Sequence, residues 1–229
     1  MKLSISMTRR ETQLGWFFFP ISLFVLPTII ASVGDLLGAP LSPTTLNIFY
    51  FVINFLCVIG IFHRFLLESL KSTWAMWRKC LRFTLQGLGM HFACALLVEV
   101  IIAPWVGPWF SNVNDDTIIE MSKTHTLLFS FCTIVLVPIT EEILFRGLVF
   151  GTLCKKNHRF ALCVSVLIFA SIHLLDYIGT ADWKTLLVCF LQYLPAGFAL
   201  AWSYANSGNI VVPIFMHIIN NAIAMATLR

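Results

Sequence analysis

The sequence predicts an all-α fold, a polytopic membrane helix bundle of about seven transmembrane helices that forms a single membrane domain over residues 1–229. Three observations carry that prediction. Of the residues, 59% are hydrophobic and 11% charged, where an average soluble domain is roughly a quarter charged, so the chain has too few charges to cover a water-facing surface. Mean hydropathy is +0.87. The apolar residues also gather into runs of the ~20-residue length that a spanning helix needs, and basic residues fall on alternate connections between those runs.

The first run, near 15–37, follows Lys2, Arg9 and Arg10. Positive residues before an apolar stretch resemble a signal peptide, but no small-residue cleavage site stands out and the stretch continues past Ile30, so a retained first span is expected. The second run lies near 45–63. The segment 64–82 then mixes Arg64, Lys71, Arg78, Lys79 and Arg82 with Leu66, Leu67, Leu70, Trp74 and Trp77, the composition of an amphipathic helix lying on a membrane face. Further spans are expected near 83–107, 125–153, 160–177, 185–205 and 209–228.

The charges give an orientation. Basic clusters precede the first span, separate the second from the third, and return as Lys155, Lys156 and Arg159 after the fourth. The alternate connections carry Asp35, then Asp115, Asp116 and Glu120, then Asp176 and Asp182. An integral multi-pass protein is expected, with a cytoplasmic amino terminus and an exterior carboxy terminus. The net charge of +4 is therefore topogenic, and no nucleic-acid-binding motif is present. The seven cysteines form no Cys-x-x-Cys and mostly lie in apolar runs, as small buried thiols do.

Against this background one stretch, PITEEILFRG at 138–147, is anomalous. A charge at the centre of a spanning helix costs about 2.5–3.5 kcal/mol on insertion scales, and the fourth span holds Glu141, Glu142 and Arg146. Glu142 and Arg146 are four residues apart and can pair on one face, which offsets part of that cost. Glu141 is turned about 100° away and has no partner on its own helix. Helix-to-helix glue would explain the pair but leaves Glu141 unexplained. Two later spans add Phe169 with His173, and His217 with Asn220 and Asn221. Measured at 1.5 Å per residue from the cytoplasmic ends, Glu141 and His173 lie at ~20 Å, Asn221 at ~18 Å and His217 at ~12 Å, close to one level. His91 and Asn54, alone in other spans, read as packing residues.

A buried carboxylate is a candidate base for water. An imidazole beside it can share in polarising that water, and an amide and a second imidazole can donate hydrogen bonds to an oxyanion. Such a set hydrolyses an acyl bond without a covalent nucleophile.

Glu141-Glu142-x-x-x-Arg146, Phe169-x-x-x-His173 and His217-x-x-x-Asn221, in that order on separate hydrophobic helices, resemble the CPBP family (CAAX protease and bacteriocin-processing, also called ABI), which includes the type II CAAX prenyl endopeptidases. The resemblance covers roughly 125–228, which it marks as the catalytic helical core; residues 1–124 carry no matching motif. It implies an intramembrane endopeptidase acting on membrane-associated or lipidated protein or peptide substrates within the lipid bilayer. Glu141 and His173 would activate water, His217 and Asn221 would stabilise the oxyanion, and Glu142 and Arg146 would support the site. It leaves open whether Glu141, His173 and His217 hold a divalent metal such as zinc or whether the glutamate works as a metal-free base. Because family members also serve in bacteriocin immunity, a catalytically idle scaffold is a competing reading. A transporter or ion pathway is another, although the sequence shows no inverted repeat.

Overall fold

The computed structural model describes residues 3, 5–106, 112–123 and 125–227, and every regular element among them is helical. The described residues form nine helices. They are α1 (Arg9–Leu36), α2 (Pro43–Ile61), α3 (His63–Ala75), α4 (Trp77–Val106), α5 (Val113–Ser122), α6 (Thr126–Leu153), α7 (His158–Ile172), α8 (Trp183–Ser207) and α9 (Val211–Thr227). Five of these, α1, α2, α4, α6 and α8, are long and apolar enough to cross a membrane. Their outward faces carry large apolar side chains such as Phe17, Trp105 and Leu127. A bilayer accommodates such a surface and water does not.

The all-α bundle is as expected, with three local differences. α7 and α9 have 15 and 17 residues, ~22 and ~26 Å at 1.5 Å per residue, shorter than the ~30 Å hydrocarbon core. α7 stops because His173 turns its Nδ1 back onto the Phe169 carbonyl at 2.8 Å and the chain enters a 3-10 turn at Leu175–Tyr177. The basic segment 64–82 is not one helix: the chain breaks at Met76 (φ −121°), so α3 ends at Ala75 and α4 starts six residues before position 83. The acidic connection before α6 contains a helix, α5, whose Asn112 cap accepts from the Asn114 amide at 3.0 Å. Of the cysteines, all free, Cys80, Cys132 and Cys189 are buried, whereas Cys163 lies on the outer surface of α7.

The ends of the helices tie the basic connections together at one end of the bundle. Thr8 and Glu11 form a capping box at the start of α1. The other oxygen of Glu11 reaches across to accept the Phe65 amide of α3 at 2.9 Å, one of the donors a helix leaves unsatisfied in its first turn. Asn209, between α8 and α9, donates to the Ser69 carbonyl and the Thr73 hydroxyl of α3, both at 2.9 Å. Lys79 donates to the Ser207 carbonyl at 2.8 Å, at the negative end of the α8 dipole. The start of α1, the whole of α3 and the start of α4 thus share one face with the turn between α8 and α9.

Three stretches are wound as π-helix rather than α-helix: Ile21–Val25, Cys132–Leu136 and Glu142–Phe150. The first two each end two residues before a proline, Pro27 and Pro138. There the Leu26 and Val137 amides bond five residues back, to the Ile21 and Cys132 carbonyls, and the wider turn makes room for the proline ring. The third stretch carries two of the three anomalous charges, Glu142 and Arg146, with Glu141 just before it, and all nine of its residues are buried. Ser165 of α7 donates to the Phe145 carbonyl at 3.1 Å, so a neighbouring helix draws on the backbone where the ladder is widened.

Candidate active site

The two adjacent glutamates occupy different environments. The Glu142 side chain is 0% exposed and the Glu141 side chain 18%. Glu142 Oε1 accepts from Arg146 Nη1 at 3.0 Å and from His217 Nδ1 at 2.9 Å. Arg146 is itself fully buried and is held on two further sides. Its Nη2 donates to the Gly197 carbonyl of α8 at 3.2 Å, and its guanidinium lies 4.1 Å from the centre of the Phe169 ring. Gly197 permits this approach, since a Cβ there would sit 3.3 Å from both Phe169 and Val166. The i,i+4 pair therefore exists as expected, and it is bonded into α7, α8 and α9.

Glu141 faces the other way, toward a cavity of about 50 Å³ lined by Tyr50, Asn54, Thr140 and Glu141 among apolar side chains that include Leu23 and Phe145. Its Oε2 is buried without a hydrogen-bond partner among the described residues, 4.0 Å from His217 Nε2. His217 is buried and stands between the two glutamates. An ionised carboxylate only accepts, so the contact with Glu142 requires a proton on Nδ1 of His217 and leaves Nε2, the atom facing Glu141, as an acceptor in the neutral ring. The same reasoning fixes His173: its Nδ1 must donate to the Phe169 carbonyl, which leaves its Nε2 as the acceptor.

Phe169 is the hub of the cluster. Its ring lies under the Arg146 guanidinium, 4.7 Å from the His173 ring and 5.8 Å from the His217 ring, and it is 1% exposed. The Phe-x-x-x-His spacing thus places an aromatic plate and an imidazole on one face of α7, in contact with both other motifs.

Asn221 is bonded across to α6. Its Nδ2 donates to the Thr133 carbonyl of α6 at 3.0 Å. That carbonyl lacks a ladder donor because Val137 bonds Cys132 and Pro138 has no N–H. One amide hydrogen of Asn221 is therefore committed to α6, and one remains.

Sequence reasoning missed three contributors. Tyr193 of α8 stacks on His173 at 4.1 Å and 23°. Its hydroxyl accepts from Asn114 of α5 at 2.7 Å, so α5 reaches the site through this ring. Asp115 beside it is raised to about 6, by burial first and then by Asp116, with the Tyr193 hydroxyl pulling the other way. His91, read as a packing residue, is buried against Asn220 and near His217. Asn54, also read as packing, lines the Glu141 cavity with Tyr50. No spacing rule in α2 or α4 marks these residues.

Among the described residues no three histidine, cysteine, aspartate or glutamate side chains stand together so as to hold a metal ion. His217 Nδ1 is taken by Glu142, and His173 is tied to its own helix. Glu141 and His217 Nε2 make two donors, where a hydrolytic zinc uses three protein ligands. The residues as arranged do not fit such a metal. Any peptide hydrolysis by the purified protein is expected to survive exhaustive chelation. Loss of activity on chelation, restored by one divalent ion and by no other, would contradict that.

A fold of membrane-length helices with a buried Glu142–Arg146 pair beside a cavity lined by Glu141 defines the class as an intramembrane helical bundle with a polar site. Residues 123–223 match the family described as type II CAAX prenyl endopeptidase Rce1-like, and the resemblance drawn from the three motifs is borne out over this stretch. Two curated relatives are similar. The Bacillus subtilis (strain 168) protein named "Putative membrane peptidase YdiL" is 38% identical over 109 residues, 47% of this chain and 40% of that one. The Lactococcus lactis subsp. lactis (strain IL1403) protein named "UPF0177 protein YxdF" is 26% identical over 153 residues, 66% of this chain and 79% of that one. The match to the Bacillus protein thus spans less than half of its length. No solved structure matches.

Proposed function

We propose that the chain is an intramembrane endopeptidase that hydrolyses peptide bonds of membrane-associated or lipidated substrates with water activated by Glu141. The observation that carries this reading is the split between the glutamates. Glu142 is bonded to Arg146 and His217, while the neighbouring Glu141 presents an unpartnered oxygen to a cavity. The matched family and the name of the Bacillus relative support a peptidase.

In this mechanism Glu141 takes one proton as the water oxygen bonds to the scissile carbonyl carbon, and the carbonyl π electrons move onto its oxygen. The C–N bond then breaks, the proton passes from Glu141 to the leaving nitrogen, and the products are a carboxylic acid and an amine. His173 Nε2 is left as an acceptor on the α7 side of the site, its ring stacked on Tyr193. His217 Nε2 donates to the oxyanion only when the ring is protonated, with Glu142 as its counter-charge, and the remaining amide hydrogen of Asn221 is the second donor.

The test uses proteoliposomes and two fluorogenic peptides, one farnesylated near its carboxy terminus and one a hydrophobic helical peptide. Mass spectrometry should find two products from at least one of them, absent with Glu141→Gln. Equal rates for both proteins would sink the reading.

The proposed orientation places the end that holds Glu11, α3 and Lys79 in the cytoplasm, following the basic connections. Reporter fusions at Lys155 and Asp115 are expected to read cytoplasm and exterior respectively, and the reverse would overturn it.

A further inference from the structure

The cavity beside Glu141 is walled in part by α2, outside the residues that match the family. Asn54 and Thr140 are 6% and 5% exposed, and Asn54 Oδ1 and Thr140 Oγ1 are buried without a hydrogen-bond partner among the described residues, as is Glu141 Oε2. All three residues line the same cavity. A buried polar atom without a partner is costly, so three around one apolar-rimmed space call for a shared donor. Water is the donor that fits. It needs ~10–15 Å³ and 2–4 polar partners, and the cavity of about 50 Å³ holds more than one.

The Asn54 amide has a set orientation here. Its Nδ2 donates to the Tyr50 hydroxyl at 3.3 Å, one turn back on the same helix, while Oδ1 is left unpartnered and both residues line the cavity. With its oxygen accepting from Asn54, the Tyr50 hydroxyl keeps its own proton to donate elsewhere.

We propose that Asn54, oriented by Tyr50, is the second acceptor for the reacting water: one hydrogen of that water goes to Glu141 Oε2 and the other to Asn54 Oδ1. Both hydrogens are then held, and a lone pair on the water oxygen is left to attack the carbonyl carbon. This rests on the hydrolase reading above. It adds Asn54 as a residue that touches the reactant and Tyr50 as its positioning residue, both from a helix with no motif. Thr140 completes the wall on the α6 side.

The test is radiolytic hydroxyl footprinting of the full chain in detergent or nanodiscs, in which a bound water oxidises the side chain beside it. Tyr50 should be oxidised in the wild-type protein. The isosteric change Asn54→Leu should lower that oxidation at least about fivefold, because a cavity stripped of its acceptors no longer supplies the 2–4 partners a water needs. Oxidation of Tyr177, which is not part of the cavity lining, and the thermal unfolding midpoint report whether the variant has folded. Should it not fold, Tyr50→Phe and Thr140→Val replace it, with oxidation at position 50 and at Phe145 read in the same way. On whichever of the two fluorogenic peptides is cut, Asn54→Leu should lower kcat about 10- to 100-fold with KM held within ~2-fold. An unoxidised Tyr50 in the wild type, oxidation unchanged by Asn54→Leu, or a full kcat in Asn54→Leu overturns the proposal. If the wild type cuts neither peptide but Tyr50 oxidation depends on Asn54, the hydrolase reading has failed and the water site stands.

Discussion

Glu141→Gln is expected to fold, insert and unfold at the wild-type temperature while peptide hydrolysis falls by roughly two to four orders of magnitude, the usual contribution of a positioned general base. The expectation follows from what Glu141 touches. Its Oε2 is without a hydrogen-bond partner among the described residues, and its side chain opens onto the cavity. No ion pair depends on it at hydrogen-bonding distance, the approach to His217 Nε2 being 4.0 Å. Glutamine keeps the shape and an acceptor oxygen but cannot take a proton from water. The check is a thermal melt in detergent beside single-turnover cleavage of the fluorogenic peptides. A variant that unfolds, or one that cleaves at the wild-type rate, is incompatible with this role.

Glu142→Gln is expected to fail in the opposite way, through stability. Arg146 is fully buried, and Glu142 is its counter-charge at 3.0 Å. Removing one partner of a buried ion pair typically costs about 3–5 kcal/mol, because the other charge is left uncompensated. The Gly197 carbonyl and the Phe169 face remain, but neither carries a full negative charge. The neutral amide can still accept from His217 Nδ1, so the tautomer of His217 should survive in whatever fraction stays folded. The double change Glu142→Gln with Arg146→Met removes the orphaned charge and should recover much of the lost stability. Thermal melts of the three proteins decide it: equal midpoints for wild type and Glu142→Gln, or no recovery in the double variant, would show that the pair does not hold the bundle.

The contrast between the glutamates was legible in the sequence because it depends on local spacing. Glu142 and Arg146 are one turn apart, Phe169 and His173 one turn apart, and hydrophobic flanks place all of them within a membrane. What was not legible depends on partners distant in the chain. The π-wound stretch at Glu142–Phe150 coincides with the Ser165 hydroxyl on the Phe145 carbonyl, a contact between positions 20 apart in sequence. The place of Asn221 depends on a carbonyl that Pro138 leaves unsatisfied across the helix interface. Asn54 and Tyr50 sit in a run that periodicity reads as an ordinary span, and only the cavity shared with Glu141 distinguishes them from packing residues. The α5 helix escaped notice because its run Val113–Ser122 is short and acidic, and its link to the site passes through a single ring, Tyr193.

The central claim is that Glu141 makes this chain a peptidase inside the membrane. Its most direct test is terminal proteomics of membrane fractions from cells expressing the wild-type chain or Glu141→Gln at equal levels. The account predicts a set of new protein termini, in or beside membrane-embedded or lipidated segments, that appear with the wild-type chain and vanish with Glu141→Gln. The same termini in both samples, or none that depend on the chain at all, would contradict it.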